Sequence, residues 1–290
     1  MLLIDLNQVL LSGLLVQIGP GKEVAIEENL VRHMVLNILR THIKQFKKEY
    51  GEVVLCCDNR NYWRKGFFPY YKASRKKTRE KSNLNWTAIF NILNILQKEL
   101  RENFPYKVIN VDGAEADDII GTLVPLKLKD ENILILSSDS DFLQLQMLNG
   151  ETGNIVRQYN PAQKKYVKSK NPLMDLKEKI ISGDKGDGIP NILSPSDCFV
   201  REMRQKSITK KHMHVLMNED HDKWLDDTAR SGFYRNETLI DLRLIPKHIQ
   251  KSIVEAYQNT KPVPRSQIIN FFMEKLSLIH ISEPTRPERI

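Results

Sequence analysis

The chain has 290 residues, 41% hydrophobic and 28% charged, which are the proportions of a folded globular protein and exclude a disordered one. Its net charge of +8 hints at a polyanionic partner, and its three cysteines, two of them adjacent in "VVLCCD", exclude a disulfide framework and suggest a reducing, cytoplasmic setting. No apolar run approaches the ~20 residues that cross a bilayer, so no membrane partner is expected, and "MLLIDLNQ" carries an acid where a signal peptide carries basic residues.

"LLIDL", residues 2–6, predicts a short buried strand. From Ile26 to Phe46, apolar residues at 30, 34, 38, 39, 43 and 46 form a helical stripe. "EVVLCCDN" predicts a second strand, closed by Asp58 and Asn59, and "WTAIFNILNILQKEL" (86–100) an amphipathic helix leading into a strand at "YKVINVD". "AEADDIIGTLVPLKL" reads as a helix with acids in its first turn, "NILIL" as a strand, and "DFLQLQ" as the start of a short helix. Strands alternating with helices predict an α/β domain with a mostly parallel sheet. After about residue 170 the pattern turns helical, with "NPLMDLKEKIISGDKGDGIPN" giving a helix and a glycine-rich turn, and "IPKHIQKSIVEAYQ" another helix. The boundaries are set at 1–172 for the α/β domain, 173–277 for a smaller, mainly helical C-terminal domain, and 278–290 for a tail. That tail, with "HISEPTRPERI", reads as a non-native cloning remnant.

Ligands bind open α/β sheets beyond the carboxyl ends of the strands, and acids accumulate there. Asp5 lies in the first strand and Asp58 ends the second. Glu115, Asp117 and Asp118 open a helix; Asp139 and Asp141 follow the fourth strand; Asp184 and Asp187 sit in "GDKGDG". Singly, most would be caps or turn formers. Asp5 is the exception, since a charge within an apolar strand is costly unless something compensates it. Nine carboxylates at one sheet edge repel, and bound cations are the usual remedy. All-oxygen donors without a His/Cys set favour Mg²⁺, with Mn²⁺ as a substitute, and two ions about 4 Å apart suit phosphodiester hydrolysis. His33, His42, His212, His214 and His221 have no ligand spacing to these acids and receive no role. Setting the nine acids aside leaves the remainder at +17, suited to holding a polyphosphate.

Residues 60–81, "RNYWRKGFFPYYKASRKKTREK", carry nine Lys/Arg, one acid and six aromatics: Tyr62, Trp63, Phe67, Phe68, Tyr70 and Tyr71. The mixture fits phosphate contacts plus stacking on unpaired bases, with packing on the domain as the plainer reading for Trp63 and Phe67. On a helix, Lys72, Arg75 and Arg79 share a face that could direct a phosphate toward the metals.

"LLIDLNQ", "VVLCCDN", "YYKASRKKTRE", "AEADDIIG", "SSDSDFLQL" and "GDKGDGIP" together resemble, in order and spacing, the flap endonuclease/5′-nuclease family, and within it the RNase H branch of T-even-like phages. The resemblance runs from residue 2 to about 275. It implies a PIN-like α/β fold with a basic arch at 60–82, and a Mg²⁺-dependent 5′→3′ exonuclease and flap endonuclease that removes RNA primers and adjacent DNA during lagging-strand replication. It implies a first metal held by Asp5, Asp58, Glu115, Asp117 and Asp139. A second would be held, largely through water, by Asp141, Asp184 and Asp187, with Asp118 adjacent. Lys72 and Arg75 are implied to act on the scissile phosphate beside Asp139. Tyr71, Lys76, Lys77 and Arg79 join them as nucleic-acid contacts. Implied partners are RNA–DNA and DNA duplexes with 5′ ends or flaps, a sliding clamp and a single-strand-binding protein, met by a monomer in the host-cell cytoplasm. After "GDKGDGIP" the chain departs from the family: "NILSPSDCF" stands where a glycine-rich hairpin is common.

Two other readings stand beside this one. A PIN-type single-strand ribonuclease explains the acid cluster but not the pair at 184 and 187 or the arch. A non-catalytic nucleic-acid-binding accessory protein has no need of nine carboxylates.

Overall fold

The computed structural model describes residues 1–18, 28–82, 84–218 and 227–282. Strands β1 (Leu2–Asp5), β2 (Val53–Cys56), β3 (Lys107–Ile109), β4 (Ile133–Leu136) and β5 (Val156–Asn160) run parallel, and β6 (Lys165–Val167) returns antiparallel to β5. Their order is β3-β2-β1-β4-β5-β6. Strand order reverses between β1 and β4, which makes their carboxyl ends the topological switch point where such sheets bind ligands.

The central strands are apolar on both faces because helices cover both. Leu2, Ile4, Leu55 and Leu134 pack with α1 (Leu6–Ile18), α2 (Glu28–Tyr50) and α5 (Trp86–Asn103). Leu3, Val54 and Ile135 face the other way, onto α6 (Ala116–Lys127) and α10 (Lys247–Asn259). Each fully buried Leu or Ile contributes about 1.5–3 kcal/mol, so the two layers hold the strand ends firmly. Between the layers and the C-terminal part lie two short helices of the basic segment, α3 (Trp63–Phe67) and α4 (Ser74–Glu80). The C-terminal part contains α7 (Pro172–Ser182), α8 (Lys210–Asn218), α9 (Asp227–Ile240) and α11 (Ser266–Ser282), along with α10.

Several sequence expectations shift. The buried face of α2 is Val31, Val35, Leu39, Ile43, Phe46 and Tyr50, rotated from the stripe that begins at Leu30, which is half exposed. The rotation also buries Arg32, whose Nε donates to Glu99 on α5 at 2.8 Å, so an ion pair occupies a position that an apolar count ignores. "DFLQLQ" belongs to a 3₁₀ segment, Ser140–Leu148. The β5–β6 hairpin and α1 were not read from the sequence: β5 is mostly polar by composition yet largely buried, and α1 is too uniformly apolar to show a periodicity. From residue 283 the tail lies outside the described residues, as does His221. Among the described residues no helix is long and apolar enough to cross a membrane.

Candidate active site

β1 delivers Asp5 to the switch point. Its side chain is buried; one oxygen accepts from the Ser137 hydroxyl at 3.0 Å and the other from the Gln8 amide at 3.3 Å. Burial, then Asp58 and Asp139, push its carboxyl up to about 8. β4 leads through Ser137 to Asp139, which caps the 3₁₀ segment by accepting from the Asp141 amide at 3.0 Å. The Asp139 amide donates to the Ser137 hydroxyl at 3.1 Å, so one serine joins the two acids. Gln158 on β5 donates to the carbonyls of Ser137 and Asp139 at 3.0 and 2.5 Å and holds this turn. Asp117, in the first turn of α6, is pushed well above the usual carboxylate range by burial, then by Asp139 and Asp5. The Asp139 carboxyl is raised as well: burial and the charges of Asp187 and Asp184 outweigh the pull of Lys179 and Lys72. Asp58 accepts from the Ala116 amide at 2.8 Å and from Asn7 at 3.0 Å, tying the end of β2 to the start of α6.

The remaining acids have cations of their own. Glu115 is buried between Arg64 at 3.0 Å and Lys72 at 2.6 Å. Asp118 is fully buried; it pairs with Arg64 at 2.8 Å, accepts from the Trp63 indole at 3.2 Å and from the Glu115 amide at 2.9 Å. Asp118 thus anchors the segment that carries Trp63 and Arg64. Lys179 of α7 bridges Asp141 and Asp184, the latter at 2.9 Å. Although burial opposes it, Lys179 holds the Asp184 carboxyl below the usual range. Asp187 accepts from the Tyr71 hydroxyl at 2.8 Å, pairs with Arg75, and lies 3.6 Å from the Lys72 ammonium. Among the described residues no three acids stand as a finished metal cage.

Segment 60–82 packs down on the C-terminal part. Phe68 and Tyr71 are buried with Leu176, Ile180, Phe233 and Leu239, so the aromatic reading is redistributed. Tyr71 presents its hydroxyl to Asp187 and has no face for a base, whereas Phe67 and Tyr70 are the exposed rings. Packing on the domain therefore claims Phe68 and Tyr71 in place of Phe67, because the C-terminal helices supply an apolar wall that the sequence of the segment does not reveal. Lys72 precedes α4, so the shared helix face does not exist. Its left-handed backbone (φ 56) and its amide, donating to the Asp187 carbonyl at 2.7 Å, turn the side chain inward instead. Burial, the largest influence, would lower the Lys72 ammonium, but Asp187 and Glu115 hold it above the usual lysine range. Arg79 lies over the Phe90 ring at 5.2 Å, Lys76 is exposed near Glu80, and Lys77 pairs with Glu202. Lys76 and Lys77 face solvent, and Arg79 is half-buried.

Asp5, Asp58, Asp117 and Asp139 have no ion pair with Lys or Arg among the described residues, although three of them are raised by burial and mutual repulsion. Crowded carboxylates without an ion-paired lysine or arginine fit hard divalent ions. Sequence reasoning missed Arg64, Ser137, Gln158 and Lys179. Each works through a partner distant in the chain, and only the "SS" before Asp139 offered a local signal.

The family model of the 5′-3′ exonuclease N-terminal resolvase-like domain matches residues 22–183, and that of the T4 RNase H C-terminal domain matches residues 169–283. The chain is 36% identical over 283 residues to the ribonuclease H of Enterobacteria phage T4, covering 94% of this chain and 90% of the relative. A 5′-3′ exonuclease of Buchnera aphidicola is 28% identical over 166 residues, about half of either chain (54% of each). Among solved structures, the T5 5′-exonuclease with bound zinc aligns with a TM-score of 0.58 at 14% identity, covering 96% of this chain and 98% of that one. The bacteriophage T5 D15 flap endonuclease in a complex with DNA and metal ions aligns at 0.59 and 13% identity, covering 89% and 99%. These last two likenesses concern the fold. With both family models and a relative matched along nearly the whole chain, the protein belongs to the 5′-3′ exonuclease family of nucleases, in the branch with a T4 RNase H C-terminal domain.

Proposed function

We propose that this chain is a divalent-metal-dependent 5′→3′ exonuclease and flap endonuclease that removes RNA primers and adjacent DNA from duplexes during lagging-strand replication. The observation that carries the reading is the set of mutually repelling carboxylates of Asp5, Asp117 and Asp139, none of them ion-paired among the described residues, with the Lys72 ammonium near enough to act on Asp117 and Asp139. The relative named a ribonuclease H, the T5 5′-exonuclease with bound zinc and the T5 D15 flap endonuclease with DNA and metal ions support it.

In this reading Asp5, Asp58, Glu115, Asp117 and Asp139 hold one Mg²⁺, and Asp141, Asp184 and Asp187 contribute to a second site. The ions supply charge neutralisation and an activated water for attack on phosphorus. Lys72 and Arg75 exchange their carboxylate partners for the scissile phosphate and stabilise the charge that grows on its oxygens. Ser137 and Gln158 fix Asp5 and Asp139 in register, so the acids need little reorganisation at the moment of reaction. The exposed Lys76 and Lys77 and the half-buried Arg79 contact backbone phosphates, with the helical part from residue 173 as the duplex-binding domain. A sliding clamp and a single-strand-binding protein are the partners consistent with that task.

The test is cleavage of a 5′-labelled flap duplex and of the matching single strand, with Mg²⁺ or with EDTA. Products near the junction, lost in EDTA, are expected. Equal cutting of the single strand would favour a PIN-type ribonuclease, and binding without products an accessory protein.

A further inference from the structure

Arg235 on α9 is a buried cation without an acid. Its Nη2 donates to the carbonyls of Pro190 and Asn191 at 2.8 and 3.4 Å, its Nη1 to the Ser196 hydroxyl at 2.9 Å, and its Nε to the Asn236 side-chain oxygen at 2.9 Å. Every acceptor is a neutral oxygen, and it forms no ion pair among the described residues, unlike Arg32 and Arg64. The Phe68 ring of the basic segment lies 5.7 Å from the guanidinium. Burial, opposed by no negative charge, pulls the group down to about 10. A buried charge of this kind is costly unless it organises something.

What it organises is the stretch 190–196, directly after the turn that carries Asp184 and Asp187. One face of α9 is built against that stretch. A side-chain carbon at Gly232 would stand 2.3 Å from the Ile192 carbonyl, so only glycine allows the approach. Asn236 donates to the Pro190 carbonyl at 2.9 Å and to the Ile180 carbonyl of α7 at 2.8 Å. One turn on, the Leu239 carbonyl accepts from Arg64 at 2.9 Å. Gly183, at φ 72, leaves no room for a side chain beside the carbonyls of Ile189 and Pro190, so the acid turn packs directly on the start of the 190–196 stretch.

We infer that Arg235 is a built-in cation, a positioning residue whose positive charge gathers the carbonyls of 190–191 and the Ser196 hydroxyl and so fixes the acid turn of Asp184 and Asp187 and the adjoining basic segment for catalysis. Converging carbonyl oxygens are the donor set that elsewhere holds a free monovalent ion. In this chain the ion is covalently supplied. The inference deepens the nuclease reading and rests on it for its kinetic readout.

Arg235→Ala is expected to cleave the flap duplex about tenfold more slowly, the equivalent of losing one charge-assisted hydrogen bond. Millimolar guanidinium chloride restores most of that loss, while urea, of the same shape and uncharged, does not. Rescue by neither, by both equally, or an unchanged rate would overturn the inference. Should Arg235→Ala fail to fold, thermal unfolding of Arg235→Lys and Arg235→Gln decides: the lysine variant is expected to melt higher, and equal midpoints would contradict a role for charge. A wild-type protein that cleaves nothing would sink the nuclease reading, leaving the melting comparison to judge Arg235 alone.

Discussion

Two groups of acids meet at the switch point, and they are compensated differently. Asp5, Asp117 and Asp139 are buried and repel one another, and none is ion-paired among the described residues, although Lys72 acts on Asp117 and Lys179 and Lys72 on Asp139 from farther off. Asp141, Asp184 and Asp187, at the 3₁₀ segment and in the turn after α7, are matched by Lys179, Arg75 and Lys72. Direct ion pairs stand on one side of the site, while cations reach the other only from a distance. The unmatched side is where a divalent ion relieves most repulsion. On the matched side, an ion or a phosphate must displace a lysine or arginine first.

The largest consequence falls on the unmatched group. Asp139→Asn is expected to lower flap cleavage by about 10³-fold or more at saturating substrate, since the charge that retains the ion is lost. A loss under tenfold would show that Asp139 is not central. Lys72→Ala comes next, with kcat down about 10²-fold and duplex affinity changed far less, because its ammonium acts on the reacting phosphate. Equal losses in both would reduce it to a backbone contact. Asp184→Asn is expected to cost only about tenfold, because its charge is already offset by Lys179. A loss as large as that of Asp139→Asn would erase the distinction between the two groups.

The same contrast governs stability against pH. The Asp5 carboxyl is raised from an ordinary 3.8 to about 8, so between those values the folded protein retains a proton that the unfolded chain has released. In EDTA, stability should therefore fall as pH rises from 4 to 8, by an amount on the order of a few kcal/mol. Divalent ions should flatten the slope. Urea titrations at several pH values check this, and a rise in stability with pH in EDTA would contradict it.

Much of this site was legible in the sequence, and for a physical reason. Apolar runs that end in acids predict strands whose carboxyl ends carry charge, and parallel topology brings those ends together, so Asp5, Asp58, Asp117 and Asp139 could be placed before any coordinates. What stayed hidden depended on tertiary partners. The sequence distinguishes neither Tyr71 from Phe67 nor the inward Lys72 from the outward Lys76, because the apolar wall that buries Tyr71 comes from α7 and α9, more than a hundred residues away. Arg64 and Arg235 look like ordinary basic residues until Glu115, Asp118 and the 190–196 carbonyls surround them. The face of α2 was misjudged because Arg32 is buried by Glu99, a pairing that a hydrophobic count cannot register.

The sheet-edge carboxylates are the ones without an ion-paired cation. The most direct test of that distinction is the rise in melting temperature at pH 8 on adding Ca²⁺, compared among wild type, Asp139→Asn and Asp184→Asn. A clear rise is expected in wild type, mostly kept in Asp184→Asn and largely lost in Asp139→Asn. No rise in wild type, or the reverse order between the two variants, would contradict it.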